Sequence, residues 1–322
     1  MTLSLKKGIP IAILEGTNEK VYYNDKATDG DYSQADFERD LEYALPMIYH
    51  GRYGNNDELG AKDMQYIYDC ILDREIPKRG GDLVLRCYRK IIDIMQDRAG
   101  KGIRLNKGNF QFLPYVHPKE MQTDSVVVAG PKGSGKSTVS ASYANNYRAK
   151  FPHNPVYLFS AKPKDPVLDK IKGLHRFLIT NDWLLNDDPE EGIVSDMPSV
   201  AELGNSLCIF DDICGIPNAQ LRKRVINLQD RTMTMGRCDN IYVLTTVHIL
   251  KSGHETKTSL QECTTLVIFP DLGSKLHARS YLKEHLGFEQ HEIKKIMDVK
   301  SRWVAIRKCP RIIVSEHEIF LL

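Results

Sequence analysis

From residue 121 to the C-terminus, short apolar runs alternate with longer segments of mixed polarity. The apolar runs are rich in Val, Ile, Leu and Phe and lie at 125–129, 156–160, 207–210, 241–246 and 265–269. Continuous apolar runs of this length are typical of strands that are buried on both faces of a parallel sheet. The alternation therefore predicts an α/β fold, and two further runs at 303–307 and 311–315 predict antiparallel edge strands.

Residues 1–118 follow a different pattern, in which candidate strands surround candidate helices. The segment 9–23 predicts two short strands around a Gly-Thr-Asn turn, and 101–117 returns to strand character. Between them, apolar residues at helical spacing predict helices at 33–49, 57–72 and 82–98. The change of pattern near Pro118 predicts a smaller N-terminal α+β region of residues 1–118, whose role the pattern does not reveal, and a core domain of residues 119–322.

One motif stands directly after the first apolar run of the core. Residues 130–137 read Gly-Pro-Lys-Gly-Ser-Gly-Lys-Ser and fit the phosphate-binding pattern G-x-x-x-x-G-K-[ST] without a mismatch. The following segment, 137–150, lacks Gly and Pro and predicts a helix, so that strand, turn and helix N-terminus would point N–H groups at a phosphate chain. We predict that ATP is bound by Gly130, Pro131, Lys132, Gly133, Ser134, Gly135, Lys136, Ser137 and Thr138.

Individual positions of this loop have different expected roles. Gly133 and Gly135 let the backbone approach the phosphates without a Cβ clash. Lys136 is expected to reach the β- and γ-phosphates as a catalytic group, and Ser137 is expected to hold Mg²⁺.

The run at 207–210 ends in two acids, Asp211 and Asp212, which is the form of a Walker B motif. Asp211 is the predicted metal ligand, and Asp212 is the predicted catalytic acid that polarises the attacking water. An apolar run ending in acids is a weak signal alone, but here it follows a phosphate-binding loop with another candidate strand between them. That inserted strand indicates a P-loop NTPase of the additional-strand catalytic-acid type, with a RecA-like core, rather than a nucleotide kinase or a GTPase.

The next candidate strand ends in polar residues that could sense the γ-phosphate. Thr246 is the first choice for this role and Thr245 the second. His248 could contact phosphate or a neighbouring residue.

An inserted guanidinium would stabilise the negative charge of a phosphoryl-transfer transition state. Arg237, just before the strand at 241–246, is the predicted catalytic arginine, and it could act in an adjacent subunit. Arg231 and Arg279 are rival candidates.

The composition is that of an ordinary globular protein, with 42% hydrophobic and 27% charged residues and a formal net charge of +2. No uninterrupted apolar stretch of about 18 residues is present, so we expect no membrane-spanning helix, and the N-terminus lacks the apolar core of a secretion signal. The seven cysteines are scattered without a C-x-x-C pair. This predicts buried free thiols in a reducing compartment rather than disulfides or a zinc site.

Taken in order, these motifs resemble a known family. The series is Gly130-Pro-Lys-Gly-Ser-Gly-Lys-Ser, Val156-Tyr-Leu-Phe-Ser-Ala-Lys-Pro-Lys-Asp, Phe210-Asp-Asp-Ile, Gly236-Arg-Cys-Asp-Asn-Ile-Tyr-Val-Leu-Thr-Thr and Thr265-Leu-Val-Ile-Phe. It resembles the genome-packaging ATPases of large and membrane-containing DNA viruses, the poxvirus-type branch of the FtsK–HerA superfamily. The more specific signals are Ser160, the Asp-Asp form of Walker B, and Arg237. The family typically carries Thr-Gln at the sensor position, whereas Thr246 is followed here by Val247, so His248 is the candidate to compensate.

The resemblance, which covers 121–315, implies a hexameric ring that hydrolyses ATP to drive double-stranded DNA into a preformed capsid. It also implies a capsid or membrane protein of the virus as partner, and a location in the host cytoplasm at the assembly site or in the virion. The segment 273–311 holds ten Lys/Arg and four Asp/Glu, a local charge of +6, which suits phosphate contact but also suits a solvated helical face. Candidate pore loops are 218–223 and 251–257.

Other functions stay open at this point. The chain could be another DNA-pumping or conjugation-type ATPase of the same superfamily, or a nucleotide-binding regulatory or scaffold protein. The two acids at Asp211 and Asp212 argue against a site that binds ATP without turnover. A small-molecule kinase should carry an arginine-rich lid soon after the loop, and none is evident in the sequence.

Overall fold

A computed structural model describes residues 2–6, 8–24, 34–49, 59–73, 75–98, 102–105, 107–115, 123–184, 197–248, 250 and 256–322. The chain divides into two compact units, one of Met1–Ser4 with Tyr23–Ile103 and the other of Leu5–Tyr22 with Arg104–Leu322. The boundary predicted near Pro118 falls outside the described residues and stays a prediction. No helix in the described part of the chain is long and apolar enough to cross a membrane.

The strands are, in chain order, β1 (Thr2–Ser4), β2 (Ile9–Leu14), β3 (Lys20–Asn24), β4 (Gly102–Arg104), β5 (Phe110–Phe112), β6 (Ser125–Ala129), β7 (Val156–Ser160), β8 (Leu174–Leu178), β9 (Leu207–Asp211), β10 (Tyr242–Val247), β11 (Thr265–Ile268), β12 (Val304–Arg307), β13 (Ile312–Ser315) and β14 (Glu318–Leu321). The helices are α1 (Gln34–Tyr49), α2 (Ala61–Leu72), α3 (Gly81–Arg98), α4 (Lys136–Lys150), α5 (Ala219–Met235), α6 (Lys257–Glu262), α7 (Lys275–Glu284) and α8 (Gln290–Met297).

The first unit contains the three N-terminal helices. Their apolar stripes meet in one core, where α3 packs against both α1 and α2 and buries side chains such as Phe37, Ile67 and Ile91. Helices of this length are marginal alone in water, so burial of the stripes against one another supplies most of their stability. The helices predicted at 33–49 and 82–98 are therefore confirmed over their described helical residues, whereas the helix predicted at 57–72 begins only at Ala61.

The second unit is built on a large sheet whose strand order is β14-β13-β12-β11-β6-β10-β9-β7-β8. The strands from β11 to β8 run parallel, and β12 to β14 continue the sheet antiparallel. β6, β9 and β10 are buried along their whole length, as their continuous apolar runs predict. The small antiparallel pair β2 and β5 also belongs to this unit.

The strand order identifies the fold. β10 lies between β6, which precedes the glycine-rich loop, and β9, which carries the two acids. In a parallel sheet the carboxyl ends of neighbouring strands meet at one edge, so the loop and the acids lie at the same edge of the sheet. This is the α/β fold of a P-loop NTPase with the additional central strand, and the fold class predicted from the sequence is confirmed.

A buried ion pair joins the strands at the opposite edge of the sheet. Asp124 is 1% exposed and accepts hydrogen bonds from the Tyr143 hydroxyl at 2.9 Å, Thr265 Oγ1 at 3.0 Å and Arg307 Nη1 at 3.2 Å. The Arg307 guanidinium also lies 3.3 Å from the centre of the Tyr115 ring. Because a buried charge needs partners, this cluster fixes β6, β11, β12 and α4 relative to one another.

The sequence patterns did not predict β1, β8 and β14. β8 reads Leu-His-Arg-Phe-Leu and is only partly buried, because it is the last strand of the sheet and has one neighbour, β7. β14 is short and follows β13 after two intervening residues. The other strand boundaries of the core shift by a residue or so, as at β9, which includes Asp211.

Candidate active site

The glycine-rich loop joins β6 to α4 with a backbone that only glycine adopts easily. Gly133 has φ of +78° and Gly135, the N-cap of α4, has φ of +108°. A Cβ on Gly130 would lie 2.5 Å from the Phe269 ring and 2.7 Å from Ser134 Oγ. The loop is therefore a glycine cradle at a helix N-terminus, a geometry that suits a phosphate chain.

Two polar side chains of the loop fit this interpretation. Lys136 Nζ donates to the carbonyl oxygens of Gly130 at 2.7 Å and Pro131 at 3.1 Å. Partial burial lowers the pKa of Lys136, while the nearby Asp212 and Asp211 carboxylates oppose that shift. Ser134 Oγ is buried and makes no hydrogen bond within the described residues, so it is free to bind a phosphate oxygen. The exposed predicted contacts, Lys132 and Thr138, lie at the loop tip and in the first turn of α4.

The two acids lie at the end of β9, and one threonine orients both. Thr246 Oγ1, on β10, donates to Asp211 Oδ1 at 3.0 Å and accepts from the Asp212 N–H at 2.9 Å. Asp212 has a left-handed backbone, with φ of 56° and ψ of 38°, which is uncommon for a residue with a side chain. Thr246 is therefore placed where it aligns the acids. Thr245 points elsewhere, toward Gln229 Oε1 at 3.2 Å.

His248 connects the acids with the loop. Its Nε2 lies 2.8 Å from Asp212 Oδ1, and its Nδ1 lies 3.4 Å from Lys136 Nζ. An imidazole that carries its proton on Nε2 satisfies both contacts, because Nε2–H donates to the carboxylate and Nδ1 accepts from the ammonium group. Of the two roles expected for His248, the contact with neighbouring residues is the one that the structure contains.

Lys162 is a site residue that the sequence patterns did not single out. Its Nζ lies 3.4 Å from Asp211 Oδ2 and 3.3 Å from Asp212 Oδ2. Burial lowers the pKa of Lys162, but the attraction of Asp211 and Asp212 outweighs burial and raises that pKa overall. The available signal was a lysine just past the end of β7, because β7 pairs directly with β9.

The loop that carries Lys162 is held by its own hydrogen bonds. Arg176 Nη1 donates to the Lys162 carbonyl at 2.6 Å, and Asp165 Oδ1 accepts from the N–H groups of Val167 and Leu168, both at 2.9 Å. Ser137 Oγ lies 3.5 Å from Asp165 Oδ2. Ser137, the predicted metal ligand on α4, therefore faces this loop, and hydroxyl and carboxylate oxygens in this region fit the ligand preference of Mg²⁺.

Arg237 lies far from these residues within one chain. It is exposed in the turn that precedes β10, and the N–H of Asn240 bonds to its carbonyl at 3.3 Å. That turn is at the amino end of the strand, whereas Thr246 is near the carboxyl end. The structure does not bring Arg237 to the acids of its own chain, and a role in an adjacent subunit stays a prediction. Arg231 and Arg279 are exposed on α5 and α7.

Several cations of the basic segment 273–311 make internal contacts. Arg302 Nε donates to the Ser134 carbonyl at 3.1 Å, so this residue supports the loop. Arg307 pairs with buried Asp124, Lys308 Nζ donates to the Leu260 carbonyl at 2.9 Å, and Arg311 pairs with Glu292 at 3.1 Å. Only part of the local positive charge therefore faces outward.

The candidate pore segment 218–223 is largely the start of α5, where Asn218 Oδ1 accepts from the N–H groups of Gln220 at 3.0 Å and Leu221 at 3.2 Å. Of the candidate 251–257, residues 251–255 lie outside the described residues. The six-residue helix α6 begins at Lys257.

Comparisons with known proteins give one sequence relative and several similar structures. No protein-family model matches the chain. The chain is 30% identical over 200 residues to "Uncharacterized protein V3" of the Sputnik virophage, an alignment that spans 62% of this chain and 76% of that protein.

The similar solved structures have lower sequence identity. They include the genome packaging NTPase B204 of Sulfolobus turreted icosahedral virus 2 with ATP-gammaS, at 11% identity and a TM-score of 0.36 over 60% of this chain and 96% of that chain. B204, the DNA-packaging ATPase of Sulfolobus turreted icosahedral virus, has 13% identity and a TM-score of 0.40 over 60% and 96%. The pCW3 conjugation coupling protein TcpA with ATPgS has 11% identity and a TM-score of 0.37 over 67% and 65%.

Proposed function

The chain belongs to the family of the Sputnik virophage protein V3, and we propose that it is an ATP-hydrolysing motor that moves viral double-stranded DNA into a preformed capsid. The observation that carries the proposal is the convergence of a glycine-rich phosphate loop, its lysine and two oriented acids at one edge of the sheet. Lys136, Asp212 and His248 are linked there through contacts of 2.8 Å and 3.4 Å.

In this proposal each group has one task in hydrolysis. Backbone N–H groups of the loop from residue 132 onward bind the phosphates, and Lys136 moves from the loop carbonyls to the β- and γ-phosphates. Ser137 and Asp211 would hold Mg²⁺, which would supply positive charge against the phosphates. Asp212 accepts a proton from the attacking water, and Thr246 holds the Asp211 carboxylate and the Asp212 backbone in position.

Hydrolysis is favoured over regulatory nucleotide binding because neighbouring side chains hold the two acids in place. Asp211 is 5% exposed and is held by Thr246, and Lys162 balances its charge. A buried, hydrogen-bonded carboxylate beside a phosphate loop is costly to maintain without a catalytic or metal-binding use. A protein that only binds nucleotide has no need of the second acid, Asp212.

Exposed cations support DNA as the cargo. Arg279 and Lys283 on α7, Lys294 on α8, and Lys300 are exposed at the surface. Such residues contact the phosphate backbone without reading bases, as a translocating motor requires, and their binding weakens as salt is raised. In this proposal the motor is an FtsK–HerA-type hexameric ring in which Arg237 reaches the site of the next subunit.

The proposal also covers the partner of the motor and its location. Its partner is a capsid or membrane protein of the virus, and it works at the assembly site in the host cytoplasm or within the virion. Dependence of activity on a capsid component would distinguish packaging from general DNA pumping by a related ATPase.

The test is steady-state ATP hydrolysis by the purified protein with and without double-stranded DNA. Lys136→Ala and Asp212→Asn should abolish turnover, whereas Asp239→Asn, an exposed acid in the turn before β10, should leave it unchanged. Hydrolysis that rises with DNA supports the motor. Hydrolysis that ignores DNA favours another cargo, and ATP binding without turnover favours a regulatory protein.

A further inference from the structure

We infer that the nucleoside half of the nucleotide, its ribose and base, binds in a cavity between the first turns of α4 and the segments around residues 15, 109–112 and 302–303. The inference rests on the proposed function, because it assigns the rest of the ligand whose phosphates occupy the loop. It also gives β2 and β5, two N-terminal strands without an assigned role, a part in the active site.

The cavity begins where the phosphate loop ends. Gly135 and Thr138 form one border, and Val139 and Ser142 extend it along α4. A phosphate loop holds the α- and β-phosphates with its N–H groups, and the γ-phosphate faces the acids that act on it, so the nucleoside lies on the side of the loop away from the acids. The acids lie across β10 from β6, while this cavity adjoins Phe269, which follows β11 on the other side of β6. The ligand can therefore span from the acids to the cavity across the loop.

Aromatic rings supply the apolar wall that a base requires. Phe112 and Trp303 are both buried and lie with ring centres 5.7 Å apart, and Phe269 lines the cavity beside the loop. A base of any identity can stack on an aromatic ring, because every base has a π-face. Arg302, which donates to the Ser134 carbonyl, closes the cavity next to the loop.

Polar groups at the far end of the cavity are already oriented. The Glu15 carboxylate accepts from Asn109 Nδ2 and from Gln111 Nε2, each at 3.2 Å. Gln111 Oε1 in turn accepts from Asn146 Nδ2, on α4, at 3.4 Å. Each amide retains a second N–H, and the carboxylate retains lone pairs, so these groups can bind ribose hydroxyls or the edge of a base. A few oriented polar groups in an apolar pocket are typical of small-molecule sites.

A second cavity also touches the loop but fits the nucleoside less well. It lies beside Pro131 and His248 and is closed by Leu250, Leu272 and Ala278. It adjoins His248, which contacts Asp212, so a nucleoside there would occupy the side of the loop that faces the acids. It serves as the alternative location in the experiment.

The experiment compares two ligands that differ only in the nucleoside, ATP and inorganic tripolyphosphate, by titration calorimetry in the presence of Mg²⁺. Ser142→Trp places a large ring in the cavity, and Asn145→Trp places the same ring on an exposed position of the same helix. Ser142→Trp should raise the Kd for ATP at least about tenfold, the equivalent of about 1.4 kcal/mol, and leave the Kd for tripolyphosphate within about twofold of wild type. Asn145→Trp should change neither constant.

Glu15→Ala provides a second variant that leaves α4 untouched. Its control is Glu19→Ala, since both acids are exposed but Glu15 is the one that lines the cavity. Glu15→Ala should raise the Kd for ATP about three- to tenfold, because a hydrogen bond to the nucleoside is lost, and leave the Kd for tripolyphosphate within about twofold of wild type.

The outcomes separate the two proposals. ATP binding that is unchanged in both Ser142→Trp and Glu15→Ala would overturn the nucleoside site and direct attention to the second cavity. Equal loss of ATP and tripolyphosphate in the folded variants would also overturn it, because the damage would then lie in the loop. A wild-type protein that binds neither ligand would instead refute the phosphate loop, and with it the proposed ATPase.

Discussion

Replacement of Thr246 by valine removes one hydroxyl and changes the shape of the side chain very little. Thr246 is 2% exposed. Its hydroxyl donates to Asp211 Oδ1 at 3.0 Å and accepts from the Asp212 N–H at 2.9 Å. Thr246→Val therefore leaves a carboxylate without one donor and a backbone N–H without its acceptor. We expect the variant to lose both stability and hydrolysis.

The magnitude follows from the two bonds. A hydrogen bond to a charged group contributes about 1.5–3 kcal/mol, and one between neutral groups about 0.5–1.5 kcal/mol. The free energy of unfolding should fall by about 2–4 kcal/mol. Hydrolysis should slow by about ten- to a hundredfold, which corresponds to about 1.4–2.7 kcal/mol in the barrier, because both acids lose their alignment.

The assay pairs urea unfolding with steady-state hydrolysis, and the neighbouring Thr245 supplies the control. Thr245 is also buried, but its hydroxyl bonds to Gln229 Oε1 at 3.2 Å and not to the acids. Thr245→Val should lower stability by about 1 kcal/mol and leave kcat within about twofold. The argument fails if Thr246→Val hydrolyses ATP at the wild-type rate, or if both variants slow hydrolysis equally.

Other variants test the charges around the sheet. In the absence of divalent cations, Lys162→Met should lower the free energy of unfolding by up to about 1 kcal/mol. The effect is small because Lys162 is 51% exposed, so water screens its pairs with Asp211 and Asp212. Excess Mg²⁺ should restore most of that loss by supplying another cation, and a variant as stable as wild type without Mg²⁺ would refute the pairing. Arg307→Met should cost about 3–5 kcal/mol in urea unfolding, because it leaves Asp124 buried without its cation. The double variant Arg307→Met with Asp124→Asn should recover part of this stability, and no recovery would contradict the pairing.

Much of the core could be predicted from the sequence because its signals are local. The strands β6, β9 and β10 are buried on both faces, so their apolar runs are continuous and easy to recognise. The glycine-rich loop combines a fixed spacing with a strand before it and a helix after it. Its backbone torsions at Gly133 and Gly135 are those that the motif requires.

The rest depends on contacts between residues that are distant in the chain. Lys162 meets the acids only because β7 pairs with β9, and Arg302 reaches Ser134 across 168 positions. The direction of β10 explains why Arg237 lies away from the acids. Arg237 precedes the strand, so it lies at the edge of the sheet opposite Thr246. The nucleoside cavity likewise combines residues near 15, 110, 140 and 302, which no local pattern relates.

The central claim, that ATP hydrolysis drives movement along double-stranded DNA, is tested most directly by displacement of a triplex-forming strand from linear DNA. With Mg²⁺ and ATP, the wild-type protein should displace the third strand after a delay that grows with its distance from the DNA end. Asp212→Asn should displace none. The account would be contradicted by a wild-type protein that binds DNA and hydrolyses ATP but leaves the third strand in place.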